Sequence, residues 1–253
     1  MITKGANMST TKRQEQILEL LQENNFLTVE RLSEMVYTSP SSIRRDLSHL
    51  QNVGLIKRTH GGATILCGGN RVAAFDNRVL QNPEKKRKIA KKAADLISDG
   101  QTIMLDGSST AGYLIPHIAK HKDIILFTNN MSTALNAINY GINTHCFGGS
   151  SVNNSSVLAG PLAYKNAAEI RADVLFFSSC SLNADGIISD PTEEENYLRS
   201  VMLKSAAKKV FLCDSEKFGT NSLYTLATLD DIDVAVFDEP FAKLKKSKCL
   251  IFT

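Results

Sequence analysis

Three features are missing from this sequence, and each absence removes a class of protein. No stretch approaches the ~20 consecutive apolar residues that cross a bilayer, and Met1 to Thr11 lacks the apolar core of a secretory signal. A cytoplasmic protein without a membrane partner is expected, and Met8 offers a second start after residues 1–7. The five cysteines (Cys67, Cys146, Cys180, Cys213, Cys249) are odd in number, lie at least 33 residues apart and form no CxxC pair. Neither a disulfide framework nor a zinc knuckle is indicated, and reduced, mostly buried thiols are expected. Cys180 and Cys213 read as small core residues at strand positions. The GxxxxGK[ST] and GxGxxG patterns of nucleotide loops are also absent. His117 and His121 stand i, i+4, but no carboxylate or thiol is placed to complete a metal shell, so neither metal nor cofactor is implied. What remains is ordinary: 43% hydrophobic and 22% charged residues, with 15 Gly and 6 Pro, exclude collagen and disorder. A length of 253 residues exceeds the usual ~100 to 200 of one domain and favours two.

The net charge of +3, from 29 basic and 26 acidic residues, does not by itself point to nucleic acid. Placement says more. Between Ser9 and Leu66, six of seven Lys/Arg stand in adjacent pairs, Lys12-Arg13, Arg44-Arg45 and Lys57-Arg58. Thr11 and Gln14 fit a capping box that opens a first helix near Lys12, with Ile17, Leu20 and Leu21 as its buried stripe and an end near Asn24-Asn25. Thr28 caps a second helix through Val29, Leu32, Met35 and Val36. A third begins at Ser39, with Pro40 at its first position, and stops before Gly54. In the third helix Ile43, Leu47 and Leu50 share an apolar face, and Ser41, Arg44, Arg45 and Ser48 lie opposite. From Leu55 to Leu66, two β-prone runs flank a Gly-Gly turn and read as a hairpin.

Three helices and a hairpin in this order make a winged helix-turn-helix. Its third helix enters a major groove of ~12 Å. Arg44 and Arg45 then reach guanine edges or phosphates, while Lys57 and Arg58 on the wing contact the backbone. The segment resembles the N-terminus of the DeoR-type family of bacterial transcriptional regulators, through Arg13 to Leu18 (RQEQIL), Ser39 to Leu47 (SPSSIRRDL) and His60-Gly61-Gly62-Ala63. That resemblance implies a repressor's winged helix with Ser41, Ser42, Arg44 and Arg45 at the positions that contact DNA, and His60 on the wing joins the candidate DNA-binding residues.

The domain boundaries read as 9–66 for the DNA-binding unit, 67–83 for a linker containing Phe75 and Arg78, and 84–253 for a larger domain. Glu84 to Lys92 carries six Lys/Arg and one acid; as a helix it turns Ile89, Ala93 and Leu96 inward and leaves its lysines in water. Apolar runs at Thr102–Leu105, Ile124–Phe127, Val174–Phe177, Val210–Leu212 and Val234–Phe237 alternate with amphipathic stretches at 111–120, 132–140, 162–170 and 194–207. Such alternation predicts an α/β domain with a mostly parallel sheet covered by helices. Ligands of such sheets lie beyond the carboxyl ends of the strands. There the sequence places Asp106-Gly107-Ser108-Ser109-Thr110, Thr128-Asn129-Asn130, Gly148-Gly149-Ser150-Ser151 and Asp214 to Gly219, an inventory of small residues and one lysine that suits a phosphorylated small molecule.

From Glu84 to about Glu239 the chain resembles the DeoR-type effector domain, itself similar to ribose-5-phosphate isomerase folds. The resemblance implies effector positions at Asp106, Ser109, Thr110, Thr128, Asn129, Gly148, Gly149, Gly160, Glu195, Asp214, Lys217, Phe218 and Gly219. Three departures stand out. Ser108 replaces a family glycine, Ser178-Ser179-Cys180-Ser181 replaces a Gly-x-x-Gly pattern, and Arg199 stands where a lysine is expected four residues after Glu195. These changes retune the pocket toward an atypical ligand or weaken it.

An isomerase on this fold needs a carboxylate base, for which Glu195 or Asp106 qualifies with Lys217 as partner. A DNA-reading module fused to a phosphate pocket needs only ligand-dependent affinity, and the sensor is the expected reading. The sequence therefore predicts a non-enzymatic repressor of a carbohydrate operon, relieved by a phosphorylated sugar. It binds double-stranded operator DNA as a homo-oligomer, dimer or tetramer. The alternative is a sugar-phosphate isomerase with a DNA-binding appendage.

Overall fold

A computed structural model describes residues 10–24, 26–52, 56–59, 61–65, 75–153 and 155–252, and the chain divides into two units, residues 1–81 and 82–253. The first unit contains α1 (Thr10–Asn24), β1 (Phe26–Thr28), α2 (Val29–Met35), α3 (Pro40–Asn52), β2 (Ile56–Thr59), β3 (Gly62–Ile65) and α4 (Phe75–Leu80). Local chemistry sets its joints. Thr28 caps α2 by accepting a hydrogen bond from the Arg31 N–H at 3.1 Å, and Ser39 does the same for α3 through the Ser42 N–H at 3.3 Å. Ile43, Leu47 and Leu50 are fully buried with Ile17, Leu21 and Leu32, as their spacing requires.

The hairpin forms between β2 and β3, with Thr59 paired to Gly62 at its closed end. Gly61 takes φ +82° there, a left-handed conformation open to glycine. A strand not expected from the sequence, β1, adds to the far side of β3 and completes a three-stranded sheet of order β1-β3-β2. Gly62 is required by that addition, since a Cβ there would lie 2.3 Å from the Leu27 carbonyl oxygen. The capping box is corrected: α1 already includes Thr10, and the Gln14 amide points to Asp46 instead of back to the helix start. Within the expected linker, residues 75–80 form α4 and Phe75 is buried; Cys67 lies outside the described residues.

The second unit runs α5 (Pro83–Ala93), β4 (Thr102–Leu105), α6 (Ser109–Gly112), α7 (Ile115–Ile118), β5 (Ile125–Thr128), α8 (Met131–Asn139), β6 (Asn143–Cys146), β7 (Ser150–Ser151), β8 (Leu158–Ala159), α9 (Pro161–Glu169), β9 (Ala172–Phe177), β10 (Ser181–Leu182), β11 (Ile187–Asp190), α10 (Glu193–Ser205), β12 (Ala206–Cys213), β13 (Tyr224–Thr228), β14 (Val234–Phe237) and β15 (Leu250–Phe252). Seven strands form one parallel sheet of order β15-β14-β12-β9-β4-β5-β6. Alternate residues of each strand enter opposite cores. Ile103, Leu105, Val174, Phe176, Val210 and Leu212 join the core that contains Ile89, Ala111, Ile115 and Ala137 of α5 to α8. Met104, Leu175, Phe177 and Phe211 join Ala163 of α9, Leu198 of α10 and Ile188 of a small antiparallel sheet, β10-β11-β13. Two buried faces explain the continuous apolar runs within β4, β9 and β12.

Some expectations change in detail. The helix expected over 111–120 is two short ones, because Pro116 has no N–H to offer the Gly112 carbonyl. The α5 lysines are not simply solvated: Lys86 is buried, Lys85 bonds Ser215 Oγ at 2.9 Å and Glu216 at 2.6 Å, and Lys88 donates to the Asp238 carbonyl. Those partners come from elements distant in sequence, so a local charge count could not find them. Of the four described cysteines, Cys213 and Cys249 are buried, Cys180 is half-buried in a loop, not a strand, and Cys146 is exposed on β6.

Candidate functional site

On α3, Ser41, Arg44 and Arg45 are exposed and Ser42 is half-buried, all on the face opposite Ile43 and Leu47. Arg44 has only a loose neighbour, Glu30 at 3.8 Å, and the Arg45 guanidinium stands 3.5 Å from Ser42 Oγ. Both forks face solvent, free to meet an anion. The wing is tied to the helix: Arg58 Nη1 donates to Ser48 Oγ at 2.8 Å, and Ser48 donates to the Arg44 carbonyl at 2.8 Å. His60 and the Lys57 side chain lie outside the described residues. Arg13 has a different task from the other paired cations. Its Nε bonds Asp46 Oδ2 at 2.6 Å and Gln14 bonds Oδ1 at 3.2 Å, so α1 grips the buried back of α3. The Asp46 hydrogen bond raises the Arg13 pKa, against a smaller opposing effect of burial. A lone acid in a basic helix was the available signal for this clamp.

The second site lies where the sheet reverses direction of growth. In chain order the parallel strands stand 7-6-5-4-1-2-3, so β4 and β9 flank a topological switch point. Asp106 leaves β4 there. Its Oδ1 accepts from Ser108 N–H at 3.2 Å and Ser108 Oγ at 2.5 Å, and its Oδ2 from Arg199 Nε at 2.8 Å and Ser178 N–H at 3.4 Å. Arg199 is fully buried and each of its three nitrogens meets a different carboxylate: Asp106, Asp190, and Glu195 at 3.5 Å. Burial alone would lower the guanidinium pKa; Asp190, Asp106 and Glu195 together hold it above its ordinary value. Asp190 was not singled out by sequence, since nothing in its local pattern reveals a partner that comes from α10.

Lys217 Nζ donates to Ser178 Oγ at 2.9 Å and pairs with Asp214 at 3.2 Å, with its side chain 21% exposed. Burial lowers its pKa, and the groups around it, Asp214 foremost, together hold it above its ordinary value. The serines at glycine positions find uses here. Ser108 adopts φ −78°, open to any residue, and its hydroxyl caps α6 at Ala111 N–H. Ser178 bridges Lys217 to the Leu212 carbonyl. Cys213 beside them is buried and its thiol pKa is pushed up by desolvation, which makes it inert.

Thr128 ends the neighbouring strand β5, Asn129 follows it, and Asn130 links back to the Gly107 carbonyl at 3.5 Å. Thr110 Oγ1 and Asn129 Oδ1 are buried without a hydrogen-bond partner among the described residues, as is Thr133 Oγ1 on α8. Ser109 is buried at the start of α6. Gly148 and Gly149 lie two strands away at the β6 edge, where their lack of a side chain has a packing cause: a Cβ would meet Leu162 Cδ2 at 2.7 Å and the Ala159 carbonyl oxygen at 2.4 Å.

Comparison with known proteins meets both sites. Residues 13–67 match the DeoR-like helix-turn-helix domain and residues 81–239 the DeoR C terminal sensor domain. The HTH-type transcriptional regulator GolR of Listeria innocua is 35% identical over 92% of either chain. The glycerol-3-phosphate regulon repressor of Escherichia coli is 25% identical, again over 92% of both. Among solved structures, a D-ribose-5-phosphate isomerase in complex with phospho-erythronic acid aligns over 54% of each chain, with 18% identity and a TM-score of 0.40. With its two domains matched in order and a relative similar along nearly its whole length, this chain belongs to the DeoR family of helix-turn-helix transcriptional regulators.

Proposed function

We propose that the protein is a repressor of a carbohydrate-use operon. It binds a repeated or palindromic operator as a two-fold oligomer through α3 and the wing, and a phosphorylated sugar at the switch point of the larger sheet releases it. The observation that carries the sensor reading is the pair of buried oxygens without a partner among the described residues, Thr110 Oγ1 in the first turn of α6 and Asn129 Oδ1 just after β5, in the segments that follow adjacent strands β4 and β5. A buried polar atom without a partner costs about 1–3 kcal/mol, a cost that a hydroxyl-rich ligand relieves. The partly exposed Lys217 supplies a cation for a phosphate, and the Escherichia coli relative, named for a glycerol-3-phosphate regulon, supports a phosphorylated ligand. Sensing is favoured over isomerase chemistry because Asp106 and Glu195, the candidate bases, are both bound to Arg199.

A gel shift on the promoter beside the protein's own gene tests this reading. Arg44→Ala/Arg45→Ala should lose about 1–3 kcal/mol per base contact removed, while members of a sugar-phosphate panel should weaken the wild-type complex. Unchanged binding by the double variant would remove α3 as the reading helix. Turnover of ribose 5-phosphate that disappears in Glu195→Gln would replace the sensor with an enzyme.

A further inference from the structure

One edge of the seven-stranded sheet is built from a segment without charge. From Ile124 to Tyr164 the chain has 41 consecutive residues with no Lys, Arg, Asp or Glu, where a 22% charged fraction would put roughly nine. This segment builds β5, α8, β6, β7, β8 and the first turn of α9. β6 is the outermost strand and α8 packs along it. Leu162 of α9 reaches the same end, against Gly148 in the loop that leaves β6.

The exposed part of this end is apolar in register. Met131, Leu135 and Ile138 stand at i, i+4 and i+7 of α8 and are 42%, 64% and 55% exposed, joined by Tyr140 and Leu162. Ala134 and Ala137 are the residues α8 turns inward, so the helix carries a second apolar stripe on the side where a surface helix is ordinarily polar. β6, with the sequence Asn143-Thr144-His145-Cys146, pairs regularly with β5 and has no lysine, proline or bulge on its open edge. Those are the devices by which monomeric sheets keep an edge from pairing.

We propose that this face joins two copies of the chain about a two-fold axis. A self-matching contact sets each patch against its own image, so any charge near the axis would meet a like charge. The segment brings no Lys, Arg, Asp or Glu of its own to the axis and so escapes that repulsion, with the nearest charges in sequence, Lys165 and Glu169 of α9, of opposite sign and 4.0 Å apart. Its extent also fits: 17 residues of the segment are exposed and nine half-buried, against about 20–30 a side in an ordinary interface. The inference takes from the proposed regulator only its two-fold symmetry. Its readout is mass and not DNA binding, so either can fail alone.

Sedimentation velocity on the full chain tests the proposal. The wild type should run as a dimer, or a multiple of one, at micromolar concentration. Leu135→Glu/Ile138→Glu should lose that contact and halve the mass while keeping the wild-type circular-dichroism spectrum, since both side chains are more than half exposed and the fold does not need them. Leu223→Glu, the same change at a 73% exposed leucine outside the segment, should keep the wild-type mass. A double variant of wild-type mass, or a wild type that stays monomeric, overturns the interface. Alkylation of the exposed Cys146 thiol reads the face independently. It should slow as wild-type concentration rises and stay fast in the double variant, and a rate indifferent to concentration in an assembled wild type rules this face out.

Discussion

Arg199 concentrates more of the larger domain's electrostatics than any other described residue, because its three nitrogens are divided among the loop after β4, the end of β11 and the first turns of α10. A lysine, the residue expected at this position, is a point charge that cannot hold three separate carboxylates in one plane. The arginine therefore does more than change reach: it ties the loop after β4, the end of β11 and the start of α10 into one unit. Removing it leaves three acids buried together. Arg199→Leu should lower the unfolding free energy by about 3–5 kcal/mol, the usual cost of breaking a buried pair, and Arg199→Lys should lie between the two. Urea denaturation followed by circular dichroism measures both. A leucine variant as stable as wild type would mean that the three carboxylates have other means of compensation.

Among the elements, the N-terminal sheet is where a single backbone contact governs geometry. β1 can pair with β3 only because Gly62 has no side chain, and its missing Cβ would fall 2.3 Å from the Leu27 oxygen and 2.8 Å from the Phe26 ring. A backbone oxygen does not move aside as a flexible side chain does. Gly62→Ala should thus force β1 from the hairpin at about 1–3 kcal/mol, lower the first thermal transition of the full chain, and weaken operator binding by displacing the wing that Arg58 ties to α3. A variant with wild-type melting would show that the sheet gives way at no cost. The same region shows what a sequence reveals. Helix α3 was legible through Ile43, Leu47 and Leu50, and β4 and β14 through apolar runs, because burial on one face or on both writes a periodic signal. β1, β6 and β13 are short or half-exposed and write none. Candidate site residues at strand ends were legible as loops of small polar residues, whereas Asp46 and Asp190 acquire their roles only from partners 33 and nine positions away.

For the whole molecule, the proposed release mechanism is a statement about free energy shared between two ligands. If a sugar phosphate weakens operator binding by some factor, operator must weaken sugar-phosphate binding by the same factor, because both describe one coupling term, typically about 1–3 kcal/mol or 5–150-fold. The ligand is first identified by thermal shift, where occupancy at 100 times its dissociation constant adds about 2.7 kcal/mol to the stability of the domain that holds it. Calorimetric titration of that compound into the protein alone and into the protein saturated with operator duplex should then give two dissociation constants. Their ratio should equal the ratio of operator affinities measured without and with saturating compound. Equal constants in the two titrations would mean a ligand that binds without reporting to α3, and its cleft would be a binding site with no regulatory output. Unequal ratios would require a further state, such as a change of assembly on DNA, that each ligand biases differently.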